Sequence, residues 1–510
     1  YYDPEFTFNF IGDINNIGEV VLTPRDLRGF GGGFRAPSSS SGTNLNLGDN
    51  SLSFLTSQNN AISIENSLAA SNFSWAVKPT FDVSGFAIFN STLLNSKQRT
   101  IKQYTDSDLG IPNELTEQTS EERSNQGLIK LSAAYKPNYN NQLDYDILGR
   151  VSNDKQVQNL MSSVLGNTYQ KDEGTPFSIN QNLNYYYTLD EDNIFALEVQ
   201  HLLKDEDPFY NALIEDKDSY DATAASLGLD ENQQNYNVAQ DRRIKSNQLD
   251  AKLDYYLILN PKSNLNLTLG TIFSKQQFDS RLFQFLDGGS EFNPTPTFND
   301  GLATNNIEYN FRDNYLAAHY RFRTGKFTIT PGFSLHSYGN KNEQFGVSYS
   351  EDFFRVLPDF ESRIQIKNNE SLTFRYAMQN QFTDVTNLAK GIVYNSFSNF
   401  SSIQFGEPEL QNALAHNLSL LYSSFNLFNY TNVFARLSYS KNIDRIRNIT
   451  FFENVITTNT FFNSSFADES ATAFGRVQRT FGALRASLNV SFNYNKSNQF
   501  VDTRRSIFRS

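Results

Sequence analysis

One local pattern recurs along this sequence and restricts its fold more than any other feature. An alternating apolar and polar strand enters a very short turn, a second alternating strand follows, and a long polar stretch comes before the next such unit. Short turns that alternate with long loops are typical of an up-and-down antiparallel β-barrel that crosses a membrane. The eight predicted turns are Lys78-Pro79, Lys136-Pro137, Asp190-Glu191-Asp192, Asn260-Pro261-Lys262, Thr324-Gly325, Asn368-Asn369, Phe425 to Tyr430, and Thr480 to Gly482.

The alternation predicts strands with a single apolar face. In residues 249–259, Leu249 and Leu253 share one face, while Asp250, Lys252 and Asp254 share the other. Successive side chains of a strand point to opposite sides, and a tilted strand of about ten residues crosses a bilayer. Eight turns imply about sixteen strands, with room for one or two more, so we predict an all-β transmembrane barrel with about 16–18 strands present.

Composition agrees with a barrel and excludes several other classes. The mean hydropathy is -0.50, and no apolar run approaches the ~18 to 20 residues that a membrane-spanning helix needs. There is no Cys and there are only four His, which leaves no disulfide framework and no thiolate metal site and argues against a histidine metal centre. The net charge of -12 speaks against nucleic acid as a partner.

Soluble β-sandwiches, propellers and solenoids also alternate, and they form the main structural alternative. The sequence shows no blade repeat of about 40 to 50 residues, and its strands are longer than the five to six residues of typical soluble sheets. A barrel of sixteen or more strands has a lumen too wide for side chains to fill. We therefore expect either an open channel or an occluded one.

The long segments are predicted to be loops at one rim, where binding usually resides. They are 34–68, 95–125, 152–176, 204–244, 275–308, 340–353 and 384–413. Two of them combine aromatic and acidic residues and supply the candidate ligand contacts. These candidates are Phe209, Tyr210, Tyr220, Phe283, Phe285, Phe292 and Phe298.

Four carboxylates in the first of these loops are weak candidates for cation binding: Asp205, Asp207, Asp216 and Asp218. Their spacing does not match a calcium-binding loop, so we predict solvated loops and no metal site. The glycines of 29–33 predict a flexible turn, because no Lys-Ser/Thr of a phosphate-binding loop follows. No catalytic residue is predicted; His319, on a lumen-facing position, is the nearest candidate in a chain that we expect not to be an enzyme.

The N-terminal segments carry a family resemblance. Residues 3–19, with Asp3-Pro4-Glu5-Phe6, are followed by Leu22-Thr23-Pro24-Arg25-Asp26, Gly31-Gly32-Gly33-Phe34-Arg35, Ala70-Ser71-Asn72-Phe73-Ser74, Tyr135-Lys136-Pro137 and Asn141-Gln142-Leu143-Asp144-Tyr145. Together they resemble the barrel region of TonB-dependent outer-membrane receptors of the Bacteroidota type. The similarity runs along essentially the whole chain.

This resemblance implies an outer-membrane active transporter of a Gram-negative bacterium. In that family a plug domain occludes a 22-stranded barrel, and the inner-membrane TonB complex drives import. The implied partners are outer-membrane lipid, the TonB complex, a small-molecule, glycan or peptide ligand, and a surface lipoprotein. No cofactor is implied, and the resemblance does not identify the ligand.

The chain begins at Tyr1 without a recognisable plug or coupling segment and ends at Ser510. We therefore expect a fragment that lacks the plug and the last strands of a probable 22. Within it we expect residues 1–68 to form the entry into the barrel, with the first strand and first long loop, and residues 69–510 to form the barrel itself.

Three functions compete at this stage. The leading one is an active receptor whose outer loops capture a ligand for import through the barrel. A passive porin-type channel is second, and an outer-membrane barrel enzyme or adhesin is third. A plug encoded before Tyr1 would separate the first from the second.

Overall fold

The computed structural model describes residues 6–11, 43–44, 61–104, 110–294, 302–402, 410–426, 428, 430–501 and 504–509. Nearly all of these residues form one β-sheet. The chain supplies strands throughout because its side chains alternate in polarity with a period of two over long stretches. No helix among the described residues is long and apolar enough to span a bilayer.

The strands are β1 (Phe6–Ile11), β2 (Thr43–Asn44), β3 (Ala61–Lys78), β4 (Phe81–Lys102), β5 (Glu114–Asn138), β6 (Asn141–Ser162), β7 (Gly166–Gly174), β8 (Phe177–Thr188), β9 (Asn193–Glu206), β10 (Phe209–Ile214), β11 (Tyr236–Asn260), β12 (Ser263–Phe285), β13 (Glu291–Phe292), β14 (Thr304–Thr324), β15 (Phe327–Gln344), β16 (Val347–Lys367), β17 (Glu370–Gln381), β18 (Val393–Ser396), β19 (Asn399–Ser401), β20 (Ala413–Asn426), β21 (Thr431–Ile443), β22 (Arg445–Glu453), β23 (Ile456–Ser464), β24 (Asp468–Phe481), β25 (Leu484–Val501) and β26 (Arg504–Arg509). A short helix α1 (Asp221–Ser226) and a 3₁₀ helix (Val385–Leu388) lie in the connections.

A continuous antiparallel ladder forms the wall. It runs β1, β3, β4, β5, β6, β8, β9, β11, β12, β14, β15, β16, β17, β20, β21, β24, β25 and β26. These are eighteen strands within the described residues, which confirms the predicted all-β architecture and its 16–18 strands. The other strands lie in the connections between wall strands, at the rim opposite the short turns.

Seven of the eight predicted turns join consecutive wall strands, as between Asn260 and Ser263. The prediction for Lys136-Pro137 was wrong by a few residues, because β5 continues through a bulge and the turn lies at Tyr139-Asn140. Proline is accepted there because the bulge interrupts the ladder and requires no N–H from it.

The predicted loops were too long. Residues 340–353 form the end of one hairpin, in which Phe345 and Gly346 make a two-residue turn with positive φ angles of 50° and 76°. Such a turn matches the twist of the flanking strands. Strands such as β5 and β11 reach 25 residues, well beyond the bilayer. The change to polar composition therefore marks the point where the strands leave the lipid, and the ladder continues above it.

Side-chain exposure near the short turns fits a lipid-facing wall. Leu253 is 41% exposed and Leu269 is 63% exposed, whereas Lys252 is 7% exposed and faces the lumen. In water this arrangement would leave a large apolar surface uncovered. In lipid it is the expected one, with apolar groups outside and polar groups inside.

Candidate functional site

The extracellular mouth is covered by the connection between β17 and β20. We call its residues 385–402 the gate. The gate begins with the 3₁₀ helix Val385–Leu388, whose first turn is capped by Asp384: the carboxylate accepts a hydrogen bond of 2.9 Å from the backbone N–H of Thr386. Strands β18 and β19 then form a small hairpin.

The gate connects distant parts of the wall. Its hairpin contacts β10 and β11 on one side, and β19 pairs in parallel with β23 on the other. Strand β23 belongs to the connection between β21 and β24, and six wall strands (β12, β14, β15, β16, β17 and β20) lie between β11 and β21. Elements so far apart along the ladder meet above the inner face of the sheet, so the gate crosses the mouth.

Two hydrophobic clusters hold the gate, and the first lies near its beginning. Val385, Leu388 and Val393 pack onto inward-facing side chains of the wall. The wall partners include Phe311 of β14 and Tyr338 of β15, whose rings lie 6.2 Å apart. This cluster separates the gate from the deeper lumen.

The second cluster surrounds the tip of the gate. Tyr394 is fully buried, with its ring 5.3 Å from that of Tyr210 and 5.1 Å from that of Phe400. The Tyr220 hydroxyl lies 3.2 Å from the Tyr394 hydroxyl and donates a hydrogen bond of 2.9 Å to the carbonyl of Phe397. Burial raises the pKa of Tyr220 and of Tyr394, so both phenols keep their protons as donors.

Between the two clusters, side-chain carboxamides bind the gate backbone. Gln344 of β15 donates to the carbonyl of Leu388 (2.8 Å) and accepts from the N–H of Lys390 (3.3 Å). In one bond the side-chain NH2 donates to the main chain, and in the other the side-chain oxygen accepts from it. The carboxamide therefore acts like one more residue of a β-ladder.

Two further carboxamides repeat this contact. Asn305 of β14 accepts from the N–H of Gly391 (2.8 Å) and donates to the carbonyl of Ile392 (3.2 Å). Gln240 of β11 donates to the same carbonyl (2.8 Å) and accepts from the N–H of Tyr394 (2.9 Å). Both carboxamides are buried, at 3% and 0% exposure. We call Gln240, Asn305 and Gln344 the carboxamide row.

Deeper in the lumen, the inward faces of β9 and β11 carry a charged cluster, to which β12 adds a hydroxyl group. Lys252 Nζ lies 3.1 Å from Glu198 Oε2 and 3.2 Å from Asp254 Oδ2, and the Thr268 hydroxyl donates to Asp254. Buried charges are stable when they are paired and hydrogen-bonded in this way. The lumen at this depth is polar, as a passage for polar solutes requires.

A second polar set lies beside it on β14 and β15. His336 Nδ1 is 2.9 Å from both carboxylate oxygens of Asp313, and its Nε2 is 2.8 Å from Ser334 Oγ. The order of groups is that of a serine hydrolase triad. However, Ser334 is 2% exposed and the rings of Tyr315 and Tyr338 stack on the imidazole at 5.2 Å, so no substrate reaches the hydroxyl. We interpret this set as a structural network.

The predicted aromatic contacts divide into two groups. Tyr210 and Tyr220 face inward and bind the gate. Phe209, Phe283 and Phe285 occupy the opposite phase of their strands: Lys171 Nζ lies 5.9 Å from the Phe209 ring, and the Arg281 guanidinium lies 4.3 Å from the Phe283 ring. The Phe283 and Phe285 rings are 5.1 Å apart, Phe292 pairs with Gln284, and Phe298 lies outside the described residues.

The four predicted carboxylates do not come together. Asp205 pairs with Arg243 at 2.9 Å, and Asp207 accepts hydrogen bonds from the N–H and hydroxyl of Thr175. Asp216 accepts a bond of 3.4 Å from the Ser219 N–H, and Asp218 is exposed. No group of three or more acidic or histidine side chains in the described part of the chain could hold a metal ion. His319, the predicted nearest catalytic candidate, binds Asp359 at 2.9 Å.

Sequence reasoning missed the carboxamide row and the gate. A signal was present: 391–400 places Ile392, Val393, Tyr394, Phe397 and Phe400 in ten residues that were grouped with the polar loops. So many apolar side chains in a rim segment indicate a buried connection. The amides gave no signal, because Gln and Asn are common in every loop of this chain.

Comparisons with known proteins agree with this architecture. Residues 209–507 match the model of the outer membrane protein beta-barrel family. Among solved structures, the FrpB iron transporter from Neisseria meningitidis (F5-1 variant) is similar with a TM-score of 0.51 and 12% identity, over 85% of this chain and 61% of that one. The outer membrane transporter YddB from Escherichia coli is similar with a TM-score of 0.50 and 9% identity, over 86% and 55%.

The fold and the family match together define this protein as a β-barrel protein of the outer membrane of Gram-negative bacteria. The chain belongs to the outer membrane protein beta-barrel family. It spans roughly three fifths of the length of the solved transporters to which it is similar. No curated protein sequence matches it.

Proposed function

We propose that this barrel is part of a TonB-dependent transport receptor, in which the extracellular mouth captures a ligand that is then imported through the lumen. The observation that carries the proposal is the gate, which is held across the mouth by two hydrophobic clusters and the carboxamide row. A transport receptor keeps its passage closed at rest, and a gate across the mouth contributes to that closure. A passive porin keeps its passage open.

Two kinds of contact stabilise the closed state. Burial of a large apolar side chain contributes about 1.5–3 kcal/mol, and Tyr394, Phe397 and Phe400 are all buried in the second cluster. Each of the six carboxamide bonds adds about 0.5–1.5 kcal/mol. A bound ligand or external work would have to release these contacts before the gate opens.

The family resemblance implies that the inner-membrane TonB complex supplies this work. It also implies a surface lipoprotein, which would bind at the exposed rim. The charged lumenal cluster around Lys252 supports a polar route below the gate. An enzyme is less well supported, because the triad-like set of Ser334, His336 and Asp313 is buried under two tyrosine rings.

Electrical recordings test the proposal. The full-length protein is inserted into planar bilayers in KCl, and a general porin is recorded as the reference. We expect no steady conductance from the receptor at rest. A constant open channel of porin size would contradict the proposal.

A second measurement tests active import. Cells with and without the gene are incubated in a complex medium, and mass spectrometry measures which solutes the gene-bearing cells remove. We expect this removal to stop when a protonophore collapses the proton gradient. Removal that continues unchanged would favour passive diffusion.

A further inference from the structure

The carboxamide row recognises the gate through its main chain. Its six hydrogen bonds end on backbone N–H and C=O groups between Leu388 and Tyr394. An amide side chain that offers one donor and one acceptor fits any extended polypeptide, whatever its side chains. The row is therefore a site for a polypeptide backbone, and the gate occupies it in this structure.

Close approach at one residue supports this interpretation. A Cβ atom added to Gly391 would lie 2.1 Å from the carbonyl oxygen of Thr304 and 2.8 Å from that of Leu302. The gate also adds a ladder bond to this wall, from the Ile392 N–H to the Leu302 carbonyl at 2.8 Å. The wall thus receives the backbone of the gate as it would receive another strand.

Pockets for side chains flank the row. Val393 enters the first hydrophobic cluster and Tyr394 the second, so neighbouring residues of the gate point into different apolar sites. Alternation of this kind is how an extended peptide gains specificity in a β-type site. A glycan would match poorly, because its hydroxyl groups lack the regular N–H and C=O spacing and its surface would leave both apolar pockets unfilled.

We infer that the ligand of this receptor is an extended peptide with apolar or aromatic residues, and that it displaces the gate from the carboxamide row by forming the same bonds. This inference rests on the proposed transport function and names its substrate class. The gate is then an internal competitor that occupies the peptide site until a ligand replaces it.

A binding experiment tests the inference. In the gate-replaced variant, residues 387–396 of the full-length protein are exchanged for a Gly-Ser segment of equal length. The probe is a fluorescein-labelled synthetic peptide with the sequence Asn-Leu-Ala-Lys-Gly-Ile-Val-Tyr-Asn-Ser. A second peptide carries N-methyl groups at the positions of Lys390, Gly391 and Tyr394, which removes the N–H groups that the row accepts. Fluorescence anisotropy in nanodiscs measures both affinities.

We expect the peptide to bind the gate-replaced variant at least tenfold more tightly than the wild type, whose site is occupied. N-methylation should weaken binding at least tenfold. Gln240→Leu in the gate-replaced background should weaken it similarly. Gln284→Leu is the matched control, because Gln284 makes the same pair of amide bonds on the same rim but to the backbone of Asp230, which lies outside the gate; it should leave binding unchanged.

Three results would overturn the inference: no binding to a gate-replaced variant whose barrel still shows heat-modifiable migration on a gel, equal binding of the methylated peptide, or competition by maltohexaose as strong as that of unlabelled peptide. The last would indicate a glycan site. The two proposals can fail separately. If the channel shows no steady conductance and uptake is protonophore-sensitive but no peptide binds, the receptor proposal stands and the peptide inference is rejected. If the peptide binds but the channel is constantly open, the receptor proposal is rejected and the peptide site stands.

Discussion

The lower and upper halves of strand β11 have opposite polarity. Near the short turn, apolar Leu253 faces outward and charged Lys252 faces the lumen. Above the membrane, polar residues such as Arg243 face outward, while Tyr236 and Val238 face inward and are fully buried. The inversion shows that one strand has two environments. In its lower half, which we call the lower zone, the outer face contacts lipid and the inner face lines a polar lumen. In its upper half, the upper zone, the outer face contacts water and the inner face packs against a protein core.

The polarity of β11 inverts because different groups fill the inner side of the wall at the two levels. At membrane depth the lumen holds polar groups, so the apolar face turns to lipid. At the rim the gate fills the inner side, and apolar side chains bury themselves against it. An alternating strand whose inner face is apolar above the membrane therefore indicates that the mouth is covered.

The largest expected effect concerns the core around the gate tip. Tyr394→Ala should destabilise the closed gate by about 3–5 kcal/mol, because it removes a fully buried aromatic ring. Trypsin cleavage after Lys390, within the gate, measures the opening. We expect at least a hundredfold faster cleavage, with Tyr139→Ala as the control, since Tyr139 is 99% exposed in a short turn. Equal rates would mean that the gate does not depend on this core.

The next effect tests the lower zone. Leu269→Lys places a charge on the lipid-facing side and should cost about 2–4 kcal/mol of barrel stability. Unfolding in urea, with the protein in lipid vesicles, measures it. Asn247→Lys changes an exposed outward residue of the upper zone and should have little effect. If both substitutions cost the same, the two zones would not differ in their surroundings.

A smaller effect is expected at the closest backbone contact. Gly391→Ala introduces a Cβ that overlaps the Thr304 carbonyl, so the gate should lift at a cost of about 1–3 kcal/mol. Tryptic cleavage after Lys390 should become roughly tenfold faster. Gly288→Ala is the matched control, because a Cβ there meets no atom within 4 Å. No change for Gly391→Ala would show that the gate lies farther from β14.

The smallest effect is a pH dependence at the outer rim. Asp172 lines an acidic cavity of about 320 Å³, and burial raises its pKa, partly offset by the charge of Arg242. The folded protein therefore holds this proton more tightly than the unfolded chain, and stability falls as pH rises above about 4 through the folded pKa. Asp172→Asn should raise thermal stability at pH 7–8 and flatten this decline.

Glu173, in the same cavity, provides the control of opposite sign. Hydrogen bonds from Lys171 and Lys155 lower its pKa, with Lys171 the larger cause. It therefore stabilises the fold above the unfolded pKa and loses that contribution as pH falls. Glu173→Gln should lower stability at pH 7. The same change for both variants would contradict the assignment.

The sequence was sufficient to predict the lower zone and insufficient for the upper one. Lipid requires every membrane strand to carry apolar side chains on its outer face, so the alternation from Leu249 to Asp254 is recognisable in the sequence alone. The upper zone obeys local packing, and the amides of Gln240 and Asn305 resemble any other polar rim residue. The sequence predicts Tyr210 and Tyr220 as ligand contacts, and the structure places them against the gate. Whether they also contact a ligand stays a prediction.

Labelling of a single cysteine tests the closed mouth most directly, since the chain contains no Cys. Ser274 of β12 faces inward and is fully buried, whereas Asn306 of β14 faces outward and is exposed. A membrane-impermeant maleimide on intact cells should label Asn306→Cys readily and leave Ser274→Cys unlabelled, until residues 387–396 are replaced by the Gly-Ser segment. Rapid labelling of Ser274→Cys with the gate intact would contradict a covered mouth.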